Sequence, residues 1–564
     1  MKRKIVERLI ANKSKICVIL LFIILTLTFT VSFKTKFKVH YDKFYGFFSF
    51  CSGSTIKFVN NWLIETPQKL HFLNIELPDS IEFNELVERE PYISYPSGCT
   101  FFVYIFAKIL GRQTIDISFL KHFQMICYWL ETLLLAFFVY RFLKNNGIKS
   151  EIEKTAAAFL TAIFWAWIPI NVWYLANVYF ADECITLFVL AFLLVEYESY
   201  CCKNKGTAII LNSIKALLIF AGVLIDYYFW ILTFVAFVLS IIYSIKNKKT
   251  LVDIIKNSLW YVVPVILGAA AFLCQLISVP NWQSMLLYQL LFRTGATNSE
   301  FDAKIPNRLY SYFVDGFGLK TNLSAVVLLL LILCFHSESL IKIKNNCTIL
   351  RKSVLNKNGI VILLGIIAPI FQIIFLRNHS AMHPFSQIKI AWIFAIFPVV
   401  FSVIYYKTTE FENQKASFER TDTYHFLRCF MASFLCIVFI TGVPFSSMEF
   451  QKREEYELYD SSLAEILRDN TSYEHVCFSF TYDLPTNPPQ ELAVSRKKVY
   501  KIDNKNELNT MFPNLNQQAI KIFVIDKNAV SELTDEQAVV QNELRNSNKV
   551  FFEDERFCLL ELTD

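Results

Sequence analysis

Residues 95–111 read YPSGCTFFVYIFAKILG, and whether they cross a bilayer decides the sidedness of everything after them. Their uninterrupted apolar part is only about ten residues, half of what a spanning helix needs and typical of a surface-lying or re-entrant segment. Around this stretch the chain is a series of longer apolar runs, each near the thickness of a hydrocarbon core. They fall at 16–33, 122–141, 155–172, 184–199, 208–224, 227–245, 258–278, 322–337, 359–376, 387–405 and 426–445. Loop charge sets the orientation, because cytoplasmic loops carry the Lys/Arg excess. With these eleven spans, RFLKNNGIKSEIEK, CCKNKG, SIKNKKTLVDIIKNS, ESLIKIKNNCTILRKSVLNKN and KTTEFENQKASFERTD all lie inside, whereas NVWYLANVYFADE, without a basic residue, lies outside. A crossing at 95–111 would invert every later loop. The expectation is therefore an α-helical polytopic protein with about eleven transmembrane helices. Its first external loop is 34–121, with 95–111 as a juxtamembrane helix inside it.

Composition agrees. Of 564 residues, 54% are hydrophobic and only 18% charged, against about a quarter charged in soluble domains. That excludes a soluble enzyme, a disordered chain and a disulfide scaffold. The net charge of +6 sits in short loops with no aromatic-interleaved basic stripe, so no nucleic-acid partner is expected. The run 16–33 is longer than the apolar region of a cleaved leader and lacks a small-x-small site, so it reads as an uncleaved signal anchor. Sidedness puts the N-terminus in the cytoplasm of a multi-pass cell (cytoplasmic) membrane protein. Residues 1–448 form the membrane domain and 449–564 an extracytoplasmic α/β domain. In the latter HVCFSF, KKVYKI, IKIFVID and RFCLLEL read as strands, and YELYDSSLAEILRD, NKNELNTMF and ELTDEQAVVQNELR as helices. It lacks a nucleotide-binding glycine pattern and reads as a lid or docking module. Cys477 and Cys558, both on expected strands, are a candidate pair.

Ionisable groups collect at the outer ends of the spans. Asp42, in VHYDKFYGF with His40 before it, sits just after the first span among aromatics; apolar surroundings raise a carboxylate toward the range of a general base. EPYISYPSGC, with Tyr92 and Tyr95, is a stiff proline-containing lead into the short helix. Asp182 and Glu183 open the fourth span. Adjacent acids there offer oxygen ligands to a divalent cation, a hold on a sugar hydroxyl, or simply charge at a helix N-terminus. The turn LRNHSAMHPFSQIKIAW gathers Arg377, Asn378, His379, His383 and Lys389. His379 and His383, four apart, share a helix face. Such a cluster suits a phosphate, a metal with a third ligand, or a capped helical hairpin. Arg293, in the loop 279–321, is a further phosphate candidate.

Taken together, Asp42, YPSG at 95–98, Asp182 and the domain 449–564 resemble the GT-C superfamily of membrane glycosyltransferases, in the branch of the aminoarabinose transferase and the protein O-mannosyltransferases. The resemblance implies a glycosyltransferase. Its donor would be a sugar on a polyprenyl phosphate embedded in membrane lipid, and its acceptor an extracytoplasmic glycan, lipid or protein. It implies Asp42 as base and Asp182 or Glu183 orienting acceptor or metal, with Mg or Mn held at Asp42, Asp182 and Glu183. Arg377, His379, His383, Lys389 and Arg293 would hold the donor phosphate, and His40, Tyr92 and Tyr95 would line the acceptor groove. Three other classes compete: a flippase or transporter for a lipid-linked sugar, a polysaccharide polymerase or ligase, and a non-catalytic membrane scaffold whose C-terminal domain binds a partner. Transporters show paired halves and midplane charges, but here the charges gather on one face. The acid directly after the first span, followed by a surface helix, argues against the polymerase.

Overall fold

The computed structural model describes residues 48–296, 357–413 and 461–563, apart from short interruptions in the last range, together with 306–309 and isolated positions between 19 and 46. Most of the expected span 16–33, the spans 322–337 and 426–445, His40 and the domain boundary at 449 lie outside the described residues.

Among the described residues the chain is helical where the apolar runs predicted it, with one break. In the loop segment before the bundle α1 (Ser49–Glu65) and α2 (Gly98–Ile109) flank a two-residue ribbon, β1 (Asn74–Ile75) with β2 (Pro91–Tyr92). The bundle follows: α3 (Ile117–Asn145), α4 (Glu151–Trp167), α5 (Pro169–Asn177), α6 (Ala181–Cys201), α7 (Lys205–Val223), α8 (Tyr227–Lys246) and α9 (Leu251–Leu276). After α10 (Trp282–Thr294) come α11 (Lys357–Phe375), α12 (Arg377–Met382) and α13 (Ile388–Asn413). Among the described residues α3, α6, α7, α8, α9 and α11 are long and apolar enough to span a membrane. The expected span 155–172 is instead broken at Ile168, because Pro169 cannot donate a backbone hydrogen bond and restarts the chain as α5. Caps set five of the starts: the side chains of Asp116, Ser150, Asn204, Asp226 and Thr250 each accept from a backbone N–H of the first turn.

Burial separates centre from rim. The apolar windows of α3 and α6 are each 56% buried, those of α7 and α9 only 22% and 28%, which leaves Leu217, Ile266 and Leu267 facing outward. Close approach locks the centre. A Cβ on Gly365 of α11 would fall 1.5 Å from the Trp392 ring of α13, so only glycine lets these two helices meet.

Within residues 95–111 the helix is shorter than the roughly 20 residues a crossing needs. Helix α2 is 12 residues long. The Gly98 N–H donates to Leu224 O at 2.8 Å, which ties its start to the α7–α8 turn. Helix α1 was not expected from sequence. It is buried along most of its length, and its polar groups find distant partners: Asn60 donates to Ile115 O, Asn61 to Ile75 O and Thr55 to Tyr179 O.

The C-terminal part folds as α14 (Ser462–Asn470), α15 (Pro489–Ser495), α16 (Glu507–Thr510), α17 (Asp535–Ser547) and a five-stranded mixed sheet. Its strands are β3 (His475–Ser479), β4 (Val499–Lys501), β5 (Ile520–Asp526), β6 (Lys549–Glu553) and β7 (Phe557–Glu561), in the order β4-β3-β5-β7-β6. Cys477 and Cys558 cannot pair. Cys477 lies opposite Ile522 and Cys558 opposite Ile525, three residues apart on β5, so the thiols sit on opposite faces of the sheet. This part packs on the first external loop: Gln490 Nε2 donates to Ser49 Oγ at 3.1 Å and Lys497 Nζ to Ser80 Oγ at 2.8 Å.

Candidate functional site

The α6 N-terminus, α10, the α11–α13 turn and the segment 50–95 meet around a cavity of about 400 Å³. Short local devices aim each side chain. Arg377 donates to the carbonyls of Thr294 (3.2 Å) and Gly295 (3.1 Å), and Asn378 to Phe292 O at 2.7 Å. These bonds cap the C-terminus of α10 and draw α12 against it, which sets Arg293 beside His379. Arg293 donates to Ser94 O at 2.7 Å, and its guanidinium lies 4.1 Å from the Tyr95 ring centre and 5.3 Å from that of Tyr227. The Tyr95 hydroxyl and His379 Nε2 are 3.1 Å apart, and the His379 and His383 rings 4.6 Å. Burial lowers the pKa of both imidazoles, that of His383 to about 3, with His379 and Arg293 adding to its shift. Both are therefore neutral at pH 7, and His383 Nδ1 is buried without a hydrogen-bond partner.

Beneath them lies a buried ion cluster. Lys389 Nζ stands 2.6 Å from Asp182 Oδ1 and 2.6 Å from Asp226 Oδ2. Asp226 uses its other oxygen to cap α8 at Tyr228 N. Asp182, a residue of the cavity wall, has its Oδ2 buried without a hydrogen-bond partner, 3.8 Å from His379 Nε2.

The loop supplies acids that the sequence reading overlooked. Glu76 and Glu90 both line the cavity. Glu76 is bonded to Lys57; burial pushes the carboxyl up and the ammonium down, each opposed by the other's charge. Glu90 has φ +55°, a left-handed conformation that costs a non-glycine residue about 1 kcal/mol, and it is pinned there between the Glu90 N–H···O Val87 bond and β2. Its nearest cation is Lys498 at 3.8 Å, and its side chain is 49% exposed.

The structure thus brings Asp182, Arg293, His379, His383, Tyr92 and Tyr95 to one cavity. It does not bring Asp42, Arg377, Lys389 or Glu183 there, and His40 lies outside the described residues. Asp42 lines a separate cavity of about 860 Å³ with Lys43, Arg112 and Arg496. Arg377 is exposed and spent on carbonyls. Lys389 is bonded under the wall instead of facing a phosphate. Glu183 turns away and accepts from Phe180 N at 3.0 Å, because adjacent helical residues project about 100° apart. The expected cation site at Asp42, Asp182 and Glu183 is consequently not assembled. Among the described residues no three His, Cys, Asp or Glu side chains are grouped to hold a metal. Glu76 and Glu90 carried no sequence signal beyond their nearness to the proline motif; Asp226 was visible as an acid at a turn.

The sequence matches no family model and no curated protein. Solved structures similar to the chain include the Archaeoglobus fulgidus oligosaccharyltransferase tethered to an acceptor peptide with the NVT sequon, at 11% identity over 91% of this chain and 69% of that one, TM-score 0.47. Another is apo ArnT from Cupriavidus metallidurans, at 10% identity over 96% and 97%, TM-score 0.45. A third is the same oligosaccharyltransferase in complex with Zn and sulfate, at 10% identity over 92% and 70%, TM-score 0.43.

Proposed function

We propose that the chain is a membrane glycosyltransferase that moves a sugar from a polyprenyl-phosphate donor to an acceptor on the outer face of the cell membrane. The observation that carries this reading is the division of one cavity. Arg293, His379 and His383 supply a cation and neutral hydrogen-bonding groups, while Glu76, Glu90 and Asp182 supply carboxylates. A sugar phosphate needs both kinds of group. Its phosphate is met by a guanidinium fixed between two tyrosine rings, so little side-chain entropy is lost on binding.

In the reaction an acceptor hydroxyl or amine attacks the anomeric carbon, and the bond from that carbon to the phosphate oxygen breaks. The electron pair leaves with the phosphate, where Arg293 stabilises the added charge and a neutral imidazole donates a hydrogen bond. The acceptor's proton passes to a carboxylate. Asp182, bonded to an ammonium at 2.6 Å, is a weak base. Glu90, whose nearest cation is 3.8 Å away, suits the role better and takes the place first given to Asp42. Asp182 Oδ2 remains to orient a sugar hydroxyl or to face positive charge developing on the ring. No step is routed through a divalent cation.

The test is mass spectrometry of lipid-linked sugars and surface glycans in cells with and without the protein. A lipid-linked sugar that accumulates on deletion, and persists when Arg293→Ala is supplied, supports the reading. Unchanged pools refute it.

A further inference from the structure

We infer that Lys389 is a built-in cation that takes the place of a divalent metal between Asp182 and Asp226. Asp182 stands in the first turn of α6 and Asp226 at the N-cap of α8, and their carboxylates converge on one point. Paired carboxylates converging at a cavity floor are the usual oxygen cradle for Mg or Mn. Here that point is filled by an ammonium with side chains 0%, 1% and 3% exposed for Lys389, Asp182 and Asp226. Lys389 rises from α13, one turn past the histidine turn, and the Tyr228 ring centre lies 5.0 Å from its Nζ. An ammonium offers only donors, so it bonds carboxylate oxygens as a cation does but cannot also accept an inner ligand.

Two consequences follow for the same cavity. Asp182 Oδ1 and Asp226 Oδ2 are committed to the ammonium and Asp226 Oδ1 to the α8 cap, which leaves Asp182 Oδ2 as the one oxygen of the two carboxylates without a hydrogen-bond partner. The positive charge is also covalently fixed, so the cluster's charge does not depend on the metal content of the surroundings. The geometry of the cluster stands without the transferase reading; only the role of Asp182 Oδ2 toward a sugar rests on it.

The experiment is Mn²⁺ titration of the purified full chain in lipid nanodiscs, followed by electron paramagnetic resonance. Wild type should show no Mn²⁺ site that Asp226→Asn removes. Lys389→Ala should gain one site per chain, lost again when Asp226→Asn is added. A wild-type site abolished by Asp226→Asn overturns the inference, and so does a folded Lys389→Ala chain that gains none. The wild-type arm holds even where Lys389→Ala does not fold. Because the readout is metal occupancy, its outcome is independent of whether sugar transfer is found.

Discussion

Replacing Lys389 with methionine keeps the reach of the side chain and removes its charge. The structure sets the scale. Lys389 and the two carboxylates it serves are at most 3% exposed, so water screens almost none of the interaction. Removing one partner of a buried ion pair costs about 3–5 kcal/mol, because the remaining charge is left uncompensated. Here one ammonium answers two carboxylates, which places Lys389→Met near the upper end of that range. Adding Asp182→Asn and Asp226→Asn to the same chain takes away the stranded charges. Asparagine at 226 still caps α8, so the comparison isolates charge from helix capping. The triple variant should therefore recover most of the loss, since neutral replacement of a buried ion cluster is close to neutral. The assay is heat-induced unfolding in detergent, read by a thiol-reactive dye at buried Cys51, Cys99 and Cys184. Lys389→Met melting at the wild-type temperature, or a triple variant no more stable than the single one, would refute the reasoning.

Glu90→Gln should lower the turnover of sugar transfer by about 10²- to 10⁴-fold while leaving the donor KM nearly unchanged, as measured with purified chain and a lipid-linked sugar. Acidification should destabilise the fold through His383: the unfolded imidazole takes its proton near pH 6.5, while the folded one holds out to about 3. Stability contributed by the neutral ring is thus intact above pH 6.5 and falls below it, by about 2 kcal/mol at pH 5, and His383→Gln should flatten the melting profile across that window. Gly98→Ala sets a Cβ 2.3 Å from Leu224 O; the short helix must move, and a loss of about 1–3 kcal/mol in thermal melts is expected.

The bundle was legible because a bilayer imposes one length on every crossing, and the runs that became α3, α6, α8 and α11 carry it openly. Helix α1 was not. SFCSGSTIKFVNNWLIE is buried nearly all round among partners from four other segments, so its polar and apolar residues show no helical period. The histidine turn stood out by residue type, yet type does not give direction. Arg377 and Arg293 look alike in sequence, and only the α10 carbonyls decide that the first is a cap and the second faces the cavity. The Lys389 cluster joins residues 207 and 163 positions apart, a pairing that helix packing makes and local pattern does not contain. Asp42 was singled out for its place after the first span, but the turn that follows leads it to the other cavity.

If a lipid phosphate sits against Arg293, the affinity of the purified chain for a short-chain polyprenyl phosphate must depend on that guanidinium. Loss of a charge-assisted contact of about 1.5–3 kcal/mol predicts about a 10- to 150-fold weaker Kd for Arg293→Ala. Arg377→Ala, altered outside the cavity, should bind far more nearly like wild type. Equal affinity in wild type and Arg293→Ala, or no binding by either, would contradict the account.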